Sequence, residues 1–215
     1  LLYDAQFQPI IDRMKNQWTT IEHYICFDSG EHAPHFEDWI GAEDGNTTFA
    51  EGSERDPCML CYTSGTTGNP KGVLYEHRST VIHALASLQP AMFNMDTRSV
   101  LLPVVPMYHA ASWALPWAGA AVGAKFVYAQ SNDPVVICEL MEREQVTIGA
   151  GVPTVWLQVF QHLDATGSAL PPLKQVVTGG SAAPRYMIER LMKADVRVVH
   201  VWGMTELSPI GTIAI

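Results

Sequence analysis

The stretch Ser99-Val100-Leu101-Leu102-Pro103-Val104-Val105-Pro106-Met107-Tyr108-His109-Ala110-Ala111-Ser112-Trp113 opens a run that continues to residue 124 without an Asp, Glu, Lys or Arg. A membrane-spanning helix needs about 20 apolar residues with every backbone group bonded internally. Pro103, Pro106 and Pro116 interrupt this run, and Tyr108 and His109 lie inside it. It therefore reads as a buried strand at 100–105, a loop, and a buried helix at 112–122 that Gly123 can end.

The same alternation extends in both directions. Strands are predicted at 23–27, 57–63, 72–75, 125–128, 147–150, 175–178 and 196–201. Helices are predicted at 7–18, 80–88, 134–144, 154–163 and 184–192, with Ser79 capping the second of these. Pro134, after Asp133, and Pro184 suit first helical turns. The strands are nearly continuous Val, Leu and Ile, as befits strands buried on both faces of a mostly parallel sheet. The expected fold is α/β, a layered, mostly parallel sheet flanked by helices.

Composition supports a packed core. Of 215 residues, 47% are hydrophobic and 16% charged. Thirteen Lys and Arg against 22 Asp and Glu give a net charge of −9, which argues against a broad nucleic-acid-binding face. Cys26, Cys58, Cys61 and Cys138 do not make a disulfide scaffold. Cys58 and Cys61 fall on a predicted strand, where residues three apart face opposite sides, so both are read as small apolar residues and not as a metal pair. Residues 28–56, rich in Asp and Glu, read as a surface connection with a short helical turn at 36–40, and 165–172 reads as a loop. Leu1 and the apolar run 211–215 suggest a piece of a longer protein. Within it, 1–56 is expected to be strand, helix, strand and the acidic connection, and 57–215 the core.

The chemistry is concentrated in Tyr62-Thr63-Ser64-Gly65-Thr66-Thr67-Gly68-Asn69-Pro70-Lys71-Gly72. A strand runs into a loop of hydroxyl residues, two glycines and a lysine. Gly65 and Gly68 let the backbone approach a ligand closely, and successive N–H groups can form an anion-binding nest. Thr63, Ser64, Thr66 and Thr67 add hydroxyl donors, and Lys71 a positive charge. The spacing is not that of the Walker loop, and the loop is expected to join two strands.

This string resembles the phosphate-binding loop of the adenylate-forming superfamily, which includes acyl-CoA synthetases, nonribosomal adenylation domains and firefly luciferase. Val201-Trp202-Gly203-Met204-Thr205-Glu206 resembles its aromatic-Gly-x-Thr-Glu motif, with Trp where Tyr is commoner. Thr178-Gly179-Gly180-Ser181-Ala182-Ala183-Pro184 resembles its adenine-side turn, and residues 105–113 its fatty-acyl pocket loop. The resemblance implies that an aliphatic carboxylic acid is activated by ATP to an acyl-adenylate and passed to coenzyme A, that 57–215 is a nucleotide- and acyl-binding core, and that an N-terminal part and a C-terminal lid domain are missing. The implied setting is cytoplasmic.

The resemblance also implies roles. Residues from Thr63 through Ser64, Gly65, Thr66, Thr67 and Gly68 to Lys71 hold the β- and γ-phosphates. Glu206 ligates Mg²⁺, with Thr63 nearby, and Thr205 contacts the α-phosphate. Gly180, Ser181 and Ala182 line the adenine site, and Val201, Trp202, Gly203 and Met204 complete the nucleotide site. His109 flanks the reacting carboxylate, while Val104, Trp113 and Gly179 border the acyl group. The family's ribose-binding Asp and C-terminal Lys have no counterpart, so this stretch alone is expected to turn over weakly or not at all. Two alternatives stand beside this reading. One is a non-catalytic nucleotide- or acyl-binding piece. The other is a serine hydrolase using Ser181, disfavoured because Ala183 replaces the last Gly of Gly-x-Ser-x-Gly and the order of Asp195 and His200 is wrong for that fold.

Overall fold

The computed structural model describes residues 1–28, 34–63 and 68–215. The chain divides into two compact units, Leu1–Glu51 and Gly52–Ile215. In the first, β1 (Leu2–Tyr3) pairs in parallel with β2 (Ile25–Cys26). Between them lies α1 (Gln8–Met14), flanked by 3₁₀ turns where the sequence predicted one continuous helix. Helix α2 (Phe36–Gly41) follows, with Glu37 and Asp38 in its first turn, where acids complement the helix dipole.

The second unit begins with an antiparallel hairpin of β3 (Pro57–Thr63) and β4 (Lys71–Glu76). Cys58 is exposed on β3 and Cys61 buried, as their spacing predicts, and all four cysteines are free. Helix α3 (His77–Ser87) starts three residues before the expected point. Glu76 is its N-cap residue, and the Ser79 hydroxyl instead donates to the Glu76 carbonyl at 3.0 Å.

A six-stranded sheet follows, built from β5 (Val100–Pro103), β6 (Lys125–Phe126), β7 (Ile148–Ala150), β8 (Gln175–Gly179), β9 (Arg197–Gly203) and β10 (Ile210–Ala214). Its order is β10-β9-β8-β7-β5-β6, parallel except for the antiparallel edge pair β9–β10. The chain order reverses at β5, which has β6 on one side and β7 on the other. Connections run through α4 (Ala110–Trp113), α5 (Leu115–Ala121), α6 (Pro134–Arg143), α7 (Pro153–Thr166) and α8 (Arg185–Lys193). Asp133 caps α6 by accepting the Val135 N–H at 2.8 Å, and Gly123 follows α5 at φ 67°. Pro184 is the N-cap residue of α8, one position before the first turn predicted for it.

Alternation along the strands fills both faces. Leu102, Val176 and Val198 join Ile137, Met141, Trp156, Phe160, Met187 and Leu191 in one core. Their neighbours Leu101, Val177 and Val199 join Phe93, Trp113, Leu115 and Ala118 in the other. Period-two side-chain geometry with helices on each side makes a layered α/β core, as the sequence predicts. Among the described residues, no helix is long and apolar enough to cross a membrane.

One segment departs from expectation. The helix predicted at 112–122 begins only at Leu115. Before it, Ala110, Ala111, Ser112, Trp113 and Ala114 all take positive φ, between 40° and 63°. Left-handed backbone costs roughly 1–2 kcal/mol per non-glycine residue. The turn is held by packing: all five residues are buried, and Ser112 donates to the Val105 carbonyl at 3.3 Å.

Candidate active site

Ligands of open parallel sheets sit beyond the carboxyl ends of the strands. Here that edge opens into a cavity of about 510 Å³ lined by Thr63, Lys71, His109, Ala110, Trp113, Gly180, Val201, Gly203, Met204, Thr205, Glu206, Pro209 and Ile210. Its walls come from four places in the chain. Thr63 and Lys71 face each other as the register pair at the loop end of the β3–β4 hairpin. His109, Ala110 and Trp113 follow β5, Gly180 follows β8, and the remaining residues lie at the end of β9 or just beyond it.

The polar groups are presented outward. Lys71, His109 and Glu206 are exposed, whereas Trp113 is buried beneath them with 5% of its surface accessible. Gly180 lies at φ 78°, and a Cβ there meets Val152 and comes within van der Waals reach of the Trp113 ring. The cavity thus has a charged and hydroxylated mouth and an apolar floor. Among the described residues, no group of three or more His, Cys, Asp or Glu gathers as a metal cluster.

Glu206 rides on a tight loop. Residues Thr205–Leu207 form a 3₁₀ turn, and the Met204 N–H donates to the Pro209 carbonyl at 2.9 Å. Gly203 permits this closure, because a Cβ there collides with the Pro209 carbonyl and the Ile210 backbone. Tyr75, 4% exposed, donates from its phenol to the Thr205 carbonyl. Burial, helped by the nearby Cys61 and Glu206, pushes the Tyr75 pKa up to about 12, so it remains a donor at neutral pH. At the far end of the loop the Ile210 N–H donates to His83 Nε2 at 3.1 Å. Burial lowers the His83 pKa despite the opposing contact with the Ile210 backbone.

Ten residues singled out from the sequence therefore share one cavity: Thr63, Lys71, His109, Trp113, Gly180, Val201, Gly203, Met204, Thr205 and Glu206. Others lie elsewhere. Val104 is buried in a hydrophobic core, Gly179 is buried with its Cα against Val201, and Gly68, Ser181 and Ala182 are exposed outside the lining. Trp202 is 60% exposed and does not line the cavity. Ser64, Gly65, Thr66 and Thr67 lie outside the described residues. The nearest histidine contact at Ser181 is from His200 Nε2 to the backbone carbonyl, at 3.2 Å, and involves no hydroxyl. Pro209 and Ile210 are lining residues that the motifs did not mark, Ala110 falls within the 105–113 motif without having been assigned a role, and Tyr75 and His83 fall only on a predicted strand and a predicted helix.

The chain is similar to known proteins along its whole length. The family described as AMP-binding enzyme matches residues 5–215. A long-chain-fatty-acid–CoA ligase of Thermus thermophilus is 41% identical over 98% of this chain and 39% of its own length. A medium-chain-fatty-acid–CoA ligase of Ectopseudomonas oleovorans is 40% identical over 99% of the chain and 41% of its own. Among solved structures, the inhibitor-bound N-terminal domain of FACL13 from Mycobacterium tuberculosis superposes with a TM-score of 0.84 at 26% identity, over 99% of this chain and 52% of that one. The chain belongs to the AMP-binding enzyme family. It spans about two fifths of the length of the curated relatives it matches.

Proposed function

We propose that the protein carrying this chain is an AMP-forming acyl-CoA synthetase acting on a fatty or other aliphatic carboxylic acid. The observation that carries the reading is the meeting of Lys71 and Glu206, distant in sequence, in one cavity with an apolar floor. The relatives' names add the acyl-CoA product, and they span long and medium chains.

In the first step a carboxylate oxygen attacks the α-phosphorus of ATP, and the bond to the β-phosphate bridging oxygen breaks. Pyrophosphate leaves and an acyl-adenylate remains. Two anions must meet, so positioned donors and positive charge decide the rate. Lys71 meets the β- and γ-phosphates together with donors of the loop 63–70. Thr205 contacts the α-phosphate, and His109 stands beside the carboxylate. Gly180 with Ser181 and Ala182 offers backbone to the adenine, with Trp202 near the base. Trp113 bounds the acyl chain. In the second step the thiol sulfur of coenzyme A attacks the acyl carbon, the carbon–oxygen bond to AMP breaks, and the thiol proton passes to solvent.

The donor set suits Mg²⁺, a hard ion that usually takes one or two carboxylates and completes its shell with phosphate oxygens and water. Glu206 would hold it, with the Thr63 hydroxyl close by; when bound it neutralises developing charge on the phosphates. A cytoplasmic setting belongs to the same proposal.

The test is carboxylate-dependent ATP–pyrophosphate exchange by the full-length protein across fatty acids of graded length. Exchange dependent on an aliphatic acid, followed by acyl-CoA formation, is expected. Exchange supported only by amino acids, or none with any acid, overturns the reading.

A further inference from the structure

We infer that Tyr75 and His83 are positioning residues that hold the Glu206 loop against the hairpin bearing Lys71; the inference rests on the role proposed for Glu206. Neither residue lines the cavity that holds Lys71 and Glu206, so neither is placed to touch a substrate there. Both instead touch backbone of the loop that does. Tyr75 binds the Thr205 carbonyl next to Glu206, and His83 binds the amide of Ile210 at the other end. The loop is thus fastened at both ends to one continuous unit, β4 followed by α3.

The geometry explains the residue types. Lys71 and Tyr75 are four apart on β4, so they project from the same face of the strand. Whatever moves the strand moves the lysine and the loop's anchor together. His83 Nε2 lies 3.1 Å from the Ile210 amide nitrogen and 3.3 Å from the Ile210 carbonyl oxygen. The Ser87 hydroxyl, fully buried, donates to the His83 carbonyl at 2.7 Å and leaves a lone pair facing Nδ1 at 3.3 Å. With the proton on Nδ1, Nε2 accepts from the Ile210 amide; with the proton on Nε2, the ring donates to the Ile210 carbonyl, so either tautomer holds this residue. Within the loop, the bonds from Met204 N–H to the Pro209 carbonyl and from Leu207 N–H to the Met204 carbonyl, both 2.9 Å, transmit the two anchors to Glu206. Groups acting on phosphates must be held within a fraction of an ångström, and supporting hydrogen bonds provide that precision.

The test compares Tyr75→Phe, His83→Leu and His83→Gln in the full-length protein. Gln places an amide oxygen near the position of Nε2, whereas Leu offers no acceptor. Tyr75→Phe and His83→Leu are each expected to lower kcat/KM for MgATP about three- to tenfold, the worth of one net hydrogen bond. KM for the carboxylic acid should change less than twofold, and His83→Gln should recover most of the loss. In a Glu206→Gln background, Tyr75→Phe should cost less than twofold, because the two act through one group. Amide exchange at Ile210 should quicken about tenfold in His83→Leu in the absence of any substrate.

Equal losses in both Glu206 backgrounds, or equal losses toward both substrates, overturn the inference and leave a structural role. Unchanged amide exchange at Ile210 overturns it too, whether or not the protein is active. Absence of exchange activity in the unmodified protein defeats the acyl-activating reading itself, whereas activity with unaltered variants defeats only the positioning role.

Discussion

Lys71 stands directly across the β3–β4 ladder from Thr63, and both side chains line the same cavity. Residues opposed in an antiparallel pair project from one face with Cβ atoms about 5 Å apart. The hairpin therefore delivers a hydroxyl and an ammonium together at its loop end. If that ammonium meets departing pyrophosphate, Lys71→Ala removes one preorganised charge contact, worth roughly 2–4 kcal/mol in a transition state. The expected outcome is a fall of about 10²–10³ in the rate of ATP–pyrophosphate exchange by the full-length protein. Lys71→Arg should recover part of it, since charge is kept and geometry changes. Normal exchange in Lys71→Ala removes the lysine from the mechanism.

Glu206 carries the complementary expectation. Among the described residues no ion pair engages it, and its loop presents it to the cavity. Replacing it by Gln keeps size and hydrogen-bonding capacity but removes the charge that a hard cation needs. Titration of exchange activity with Mg²⁺ should show half-saturation displaced to concentrations at least tenfold higher in Glu206→Gln. Superimposable Mg²⁺ curves for the two proteins would exclude Glu206 as a ligand.

Gly203 tests the loop's construction. A methyl group at this position strikes the Pro209 carbonyl and the Ile210 Cα, both backbone atoms that cannot swing aside as a flexible side chain does. Overpacking of this kind costs about 1–3 kcal/mol. Gly203→Ala should lower the urea midpoint accordingly and loosen the β9–β10 pairing, seen as faster amide exchange in 210–214. An unshifted midpoint shows that the loop relaxes freely and that its closure does not depend on glycine.

The sequence carries some of this directly and hides the rest for physical reasons. β3 coincides with its predicted span, because a strand flanked by an acidic connection and a Gly/Ser/Thr loop has sharp borders. The interior strands were visible as apolar runs for the reason that they are buried on both faces. The left-handed turn at 110–114 was not visible, since Ala, Ser and Trp carry no signal for positive φ and only packing enforces it. The cavity's charged members were marked by their motifs. Tyr75 and His83 were not, because their partners lie 130 and 127 residues further along the chain. A strand tyrosine and a helix histidine look like packing until the chain returns to them. Val104 illustrates the converse: its place beside a motif suggested a pocket wall, yet period-two alternation turns it into the core.

His83 also predicts how stability responds to pH. Burial holds its folded-state pKa below the ordinary 6.5, so the unfolded chain binds this proton more readily than the native one. Between the depressed native value and 6.5 the unfolded state therefore carries the extra proton. Stability must rise with pH through that window and level off above 6.5. Conversely, acidification below 6.5 should weaken the fold progressively until the native value is passed. Urea midpoints measured from pH 5 to pH 8 should climb in the unmodified protein, and the climb should be shallower in His83→Gln, which accepts the amide without titrating. Parallel profiles for the two proteins would show that His83 does not contribute to the slope.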